Sequence, residues 1–252
     1  MIRTIAMREL RSMFLSPVAW VTLGVVAFIM AYVFLIQLQL YVEIQPRLAG
    51  IPAAPGVTEI VAAPMYQFAA MLLLLIAPLL THRVIAGERQ TGTLTLLQAA
   101  PVSATQVVLG KWLALLTFFA VIDILIALMP ASLALGTTPD WRQLAACSLT
   151  LLLLMSAFAA IGVFISALVE EPIAAAMLTF AALLLLKLAD WSSEIAAATT
   201  TSSALRYLSM SRHYQPMLAG RFSTADLLYF IIVTVLFISL AVWRLSEDRL
   251  QR

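Results

Sequence analysis

Very few residues of this chain have the type and spacing that covalent chemistry needs. Its two histidines are His82 and His213, and its one cysteine is Cys147. Ser209, Ser211 and His213 carry the side chains of a hydrolytic site, but no suitably placed carboxylate can be read to orient the imidazole. Gly110-Lys111 lacks the upstream glycine of a phosphate-binding loop and runs into Trp112, and neither a His-Glu-x-x-His pair nor a Gly-x-Ser-x-Gly elbow occurs. One cysteine cannot form a disulfide or a cysteine metal site within the chain. The chain is therefore read as having no catalytic residue, no metal site and no cofactor of its own. What remains are charges in unusual places: a polar break from Thr81 to Ser103, Asp123 and Lys187 within apolar runs, and Arg206, Arg212 and Arg221 around His213.

The elements that position these charges follow from composition. Hydrophobic residues make up 63% of the 252 residues and charged residues 11%, with a mean hydropathy of +1.00. A soluble domain carries about 25% charged residues, so the chain is an integral membrane protein. The net charge of +2 and the lack of a basic run exclude a nucleic-acid partner. The first apolar run starts only after Ser16, is too long for a signal-peptide core and lacks a small-residue cleavage site.

A hydrocarbon layer about 30 Å thick needs roughly 20 apolar residues as a helix. Six runs meet that need, giving an all-α chain with expected transmembrane helices at 17–42, 62–83, 109–133, 144–168, 172–190 and 226–244. The fourth and fifth are separated only by Glu170-Glu171-Pro172, a tight turn in which Pro172 opens the next helix. Six spans place both termini on one face. That face then holds Arg3, Arg8, Arg11, Arg83, Arg89, Lys111, Arg244, Arg249 and Arg252, nine of the fifteen Lys and Arg residues, which makes it cytoplasmic.

Residues 1–16 read as an amphipathic interfacial helix. Ile2, Ile5, Ala6, Leu10 and Met13 share one face, with Arg8 and Arg11 opposite and aimed at anionic membrane lipid. Glu9 falls inside the apolar arc and is expected to face protein. Residues 43–64 form a short Pro-rich outer loop, and 191–225 a long extracytoplasmic one.

Asp123 lies twelve residues past Lys111, roughly 18 Å into the bilayer, and Lys187 fifteen past Pro172, roughly 22 Å in. A carboxylate at that depth costs at least about 2.5 kcal/mol and needs a partner. Two arrangements satisfy it. Asp123 pairs with Lys187 across the third and fifth spans, or it bonds a hydroxyl such as Thr117 or Ser132 while Lys187 reaches outward beside Asp190.

The order of several motifs resembles the membrane subunits of the ABC type-2 transporter superfamily, most closely the gliding-motility permease (GldF-like) branch. These motifs are Arg8-Glu-Leu-Arg-Ser-Met-Phe-Leu-Ser-Pro17, Ala77-Pro-Leu-Leu-Thr-His-Arg83, Glu88-Arg-Gln-Thr-Gly-Thr-Leu94, Ala100-Pro-Val-Ser103 with Gly110-Lys111, Ala160-Ile-Gly-Val-Phe-Ile-Ser166, and Ser211-Arg-His-Tyr214. His82 and Gly87-Glu88 depart from the Met and paired Glu common in the branch.

The resemblance implies the type-2 ABC exporter (type V) permease fold, with residues 1–252 as one transmembrane domain. Residues 87–101 would be a coupling helix docking on a separate ABC ATPase, which holds the ATP and Mg. Glu88 and Arg89 would steer that contact, Thr91, Gly92 and Thr93 would start the helix, Leu94 and Leu97 would anchor it, and Pro101 would end it. A second permease subunit, as a homodimer or a paired permease, completes the path, which the first, second and fifth spans line.

The implied role is that of a non-enzymatic exporter subunit in a bacterial inner membrane. Two alternatives stand beside it. One is an ATPase-linked scaffold that transmits force to an envelope machine through a periplasmic partner, with the loop around Arg206, Arg212, His213 and Arg221 as its contact. The other is a proton-coupled secondary carrier using Asp123.

Overall fold

The computed structural model describes residues 1–48, 55–93, 102–195 and 209–250. Helix α1 (Ile2–Leu15) ends at Ser16, whose extended backbone (φ −83°, ψ 134°) is the conformation a residue before proline prefers. Pro17 then opens α2 (Pro17–Leu48). A π-helical turn at Thr58–Ala62 leads into α3 (Ala63–Thr81), and the polar break begins with the short α4 (Ala86–Gln90).

Helix α5 (Ala104–Ala131) starts on a capping box: Ser103 Oγ accepts from Gln106 N, and Gln106 Oε1 accepts from Ser103 N. Asp140 caps α6 (Trp141–Leu168) by accepting from the backbone of Arg142 and Gln143. Pro172 opens α7 (Pro172–Ile195), followed by α8 (Met210–Leu218) and α9 (Thr224–Leu250). No strand occurs among the described residues.

Among the described residues, five helical stretches are long and apolar enough to cross a membrane: Pro17–Arg47, Thr58–Gln90, Ala104–Leu135, Trp141–Leu168 and Thr224–Asp248. Pro172–Leu188 is a shorter apolar helix. It nevertheless runs between the two ends of the bundle. It starts just beyond Ala167, whose carbonyl accepts from Arg89, and reaches Lys187, whose ammonium bonds Ser211 Oγ at 2.7 Å beside α8. The same far end is marked by Thr58 Oγ1 accepting from Asp140 N at 2.8 Å and by Tyr214 Oη donating to Tyr66 O at 2.8 Å.

The central post is α6, which packs against α3, α5, α7, α8 and α9. Its small residues make this possible, since Ala157, Ala159, Ala160, Gly162 and Ala167 are all buried and allow close backbone approach. A Cβ on Gly162 would overlap the Thr81 side chain of α3. Gly110 does the same for α1: a Cβ there would lie 2.7 Å from Ile5 Cγ2. The outward faces of α2 and α9 remain apolar and exposed, as at Val21, Phe28, Ile232 and Val235, which is the surface lipid tails solvate.

Three expectations are corrected. Residues 43–64 are not all loop, because α2 continues to Leu48 and helical backbone resumes at Thr58. Residues 191–225 are not simply a loop, because α7 continues to Ile195 and α8 lies inside the stretch. Met210, His213, Tyr214, Met217 and Leu218 bury one face at helical spacing, a pattern masked by the polar residues around it. Residues 87–101 are not one helix either. Helix α4 stops at Gln90, and Gly92 adopts φ 72°, the left-handed geometry that terminates helices. Residues 94–101, with Leu94, Leu97 and Pro101, lie outside the described residues, as does Arg206.

Candidate functional site

At the end of the bundle that holds α4, the Lys111 side chain is completely buried. Lys111 occupies the second turn of α5, beneath α1, where Gly110 lets Ile2 and Ile5 come close. Two carboxylates meet it: Glu9 Oε1 at 2.6 Å from α1 and Glu88 Oε1 at 2.9 Å from α4. Arg8 adds a contact to Glu88 at 3.4 Å, but its side chain is 55% exposed, so solvent screens it and it adds little. An ammonium without water must be paired and hydrogen-bonded or it is prohibitively costly. The burial of Lys111 therefore depends on α1 and α4 both being in place. Glu9 faces protein, as its misplacement in the apolar arc of α1 requires.

Arg89, the neighbour of Glu88, points to the other side. Its guanidinium pairs with Asp248 of α9 and donates to Ala167 O of α6 at 3.1 Å. Asp248 also accepts from Arg244 one turn back, at 3.4 Å. The backbone leading into α4 is held too. Ser166 Oγ on α6 accepts from both Ile85 N and Ala86 N at 3.0 Å and donates to His82 O at 3.1 Å. Four N–H groups at a helix start lack intrahelical partners, and one serine from a neighbouring helix supplies two of them here. Thr91 and Thr93 turn back on the same segment, Thr91 Oγ1 to Gly87 O at 3.0 Å and Thr93 Oγ1 to Glu88 O at 3.3 Å. The segment from Ile85 to Thr93 is thus fastened by side chains to α1, α5, α6 and α9 together.

The Asp123–Lys187 pair does not form. Asp123 accepts from Ser148 on α6, and Lys187 bonds Ser211. A hydroxyl is the partner of Asp123, but neither Thr117 nor Ser132 supplies it. Both of those bond carbonyls of their own helix, at Leu113 and Met129.

At the far end, His213 Nδ1 lies 2.6 Å from Asp226 Oδ1, and its ring stacks on Tyr229 with centroids 4.3 Å apart. This corrects the expectation that no carboxylate is placed to orient His213. Neither nearby serine completes a hydrolytic set, because Ser209 Oγ caps the Arg212 backbone and Ser211 Oγ receives Lys187. Burial, followed by the neighbouring Cys147, Tyr66 and Asp123, pushes the Tyr214 phenol well above its usual pKa, so it remains a neutral donor to Tyr66 O. Arg212 and Arg221 are exposed near this end. His82 lies at the opposite end from His213. Among the described residues no group of three metal-ligating side chains converges.

Long apolar helices around one buried post, with ion pairs gathered at an end, define a multi-pass helical membrane protein. A family model described as ABC-2 family transporter protein matches residues 3–250, and the chain belongs to that family. No curated protein matches it. ABC-2 permeases are membrane components of transporters and normally work with ATPase subunits.

Proposed function

We propose that this chain is the permease subunit of an ATP-binding-cassette exporter in a bacterial inner membrane, driven by separate ATPase subunits that press on the segment around Glu88. The observation that carries this reading is the fastening of α4. A soluble partner pushing there cannot move α4 alone. Glu88 would carry Lys111 and α5 with it, and through Lys111 also Glu9 and α1. Arg89 would carry Asp248 and α9, and Ser166 would carry α6. A local stroke becomes a rigid-body tilt of several helices, the kind of transition that packed, bistable interfaces permit.

In this reading six helices span the membrane with both termini cytoplasmic. Support comes from the run of α7 between the two ends of the bundle and from the arginines gathered on the α4 side. Two copies, or this chain and a paired permease, enclose a path along α2, α3 and α7. Arg8 and Arg11 on α1 rest against anionic headgroups, and α8 with Arg212 and Arg221 forms an outer lid or a dock for a periplasmic partner. The order of the motifs supports the gliding-motility branch of the family.

The test is ATP hydrolysis by the assembled complex in nanodiscs. Replacing Glu88 and Leu97 together by alanine should reduce the permease-dependent stimulation of the ATPase about tenfold, the factor carried by about 1.4 kcal/mol, while membrane insertion stays intact. Unchanged stimulation in that variant would sink the reading.

A further inference from the structure

Two buried oxygens inside the bundle have no hydrogen-bond partner among the described residues: Asp123 Oδ1 on α5 and Tyr66 Oη on α3. Asp123 is 2% exposed and Tyr66 is completely buried. Folded proteins pair such atoms with other protein groups or with ordered water, because an unmade bond forfeits the whole cost of desolvation. Tyr66 lies beside both Asp123 and Ser148 of α6. The two oxygens are complementary, since the phenol brings an O–H and the carboxyl oxygen accepts, yet they do not bond each other. The groups around them are engaged elsewhere. Ser148 Oγ donates to Asp123 Oδ2, Tyr214 Oη donates to Tyr66 O, and Cys147 Sγ donates to Leu218 O. Lys187 bonds Ser211. Three side chains from three helices therefore meet with one donor and one acceptor to spare.

We infer that a single water molecule is bound between Asp123, Tyr66 and Ser148. It accepts from Tyr66 Oη and donates to Asp123 Oδ1, and its second hydrogen turns to Ser148 Oγ, which has acceptor capacity left. Those three bonds are the number a buried water makes. A bare cation does not fit as well, because it leaves the Tyr66 O–H without an acceptor. Water also serves either protonation state of Asp123, since it donates and accepts. The bridge fastens α3 to α5 and α6 toward the end of the bundle that carries α8, where Tyr66 O receives Tyr214. It requires nothing of ATPase coupling and stands or falls without it.

The test is solid-state NMR on the full chain in liposomes of deuterated lipid, with the aspartate carboxyl carbons labelled. The chain has five aspartates, and Asp123→Asn identifies the signal by its loss. Magnetisation transferred from water should reach the buried Asp123 carboxyl within the mixing time that serves the exposed Asp140. Tyr66→Phe removes one of the three partners of the water and should abolish most of that transfer. Thr117→Ala, which removes a hydroxyl bonded only within its own helix, should leave it unchanged. An Asp123 carboxyl that receives no transfer in the parent chain would overturn the inference, as would transfer undiminished by Tyr66→Phe. So would a shift of the Asp123 signal when sodium and potassium are exchanged for N-methylglucamine, because that result assigns the site to a cation.

Discussion

Replacing Lys111 with methionine keeps its length and removes its charge. Glu9 Oε1 and Glu88 Oε1 lie 2.6 and 2.9 Å from its nitrogen, so the two oxygens are at most 5.5 Å apart, the sum of those distances. Without the ammonium they face each other as like charges. At an effective dielectric of about 20 their repulsion at that separation is about 3 kcal/mol. That falls within the roughly 3–5 kcal/mol that breaking a buried pair costs by leaving a charge uncompensated. The variant should lose its monodisperse peak on fluorescence-detected size exclusion at a clearly lower temperature than the parent. The decisive comparison is the triple variant Lys111→Met, Glu9→Gln, Glu88→Gln. Removing a buried ionic set as a whole is often neutral, so the triple should recover most of the lost thermal stability. It should not recover ATPase stimulation, because α4 is no longer tied to α1 and α5. If Lys111→Met melts like the parent, or the triple variant is worse than the single, the buried cluster does not hold α1, α4 and α5 together.

Ser166→Ala strands the amides of Ile85 and Ala86, and each buried donor left without a partner costs about 1–3 kcal/mol; the same heating assay should show a loss, and Ser166→Thr should retain part of the stability. For sidedness, Cys147 is buried and gives little background for thiol labelling, so single cysteines at Thr91 and Gln215 should react with a membrane-impermeant maleimide from opposite faces of the membrane. Reaction of both from one face would refute the six-span arrangement.

The membrane class, the helix spacing and the turn at Pro172 were legible because composition and period depend on each residue's own chemistry. Glu9 shows where that legibility stops. Its position in an apolar arc reveals that it faces protein, but nothing local names Lys111, which lies 102 residues away. Asp123 is similar: depth demands a hydroxyl or a cation, yet Ser148 is chosen by the packing of α5 on α6, and the nearer Thr117 and Ser132 are spent on their own helix. Ser166 stood in a recognisable motif without any sign of its role. A serine that caps a neighbour's backbone leaves no mark in its own helix. Asp226 escaped notice beside His213 for another reason: α8 ends between them, and only the reversal of the chain at Gly220 (φ 75°) brings them together.

The clamp on Lys111 also dictates an order of biosynthesis. Glu9 leaves the ribosome 102 residues before Lys111, a delay of roughly 5–20 s at about 5–20 residues per second. During that interval α1 has no docking groove, and its carboxylate must stay hydrated at the membrane surface. Helix α1 is made well before the helix that seats it, so a nascent chain stalled before residue 111 leaves α1 undocked.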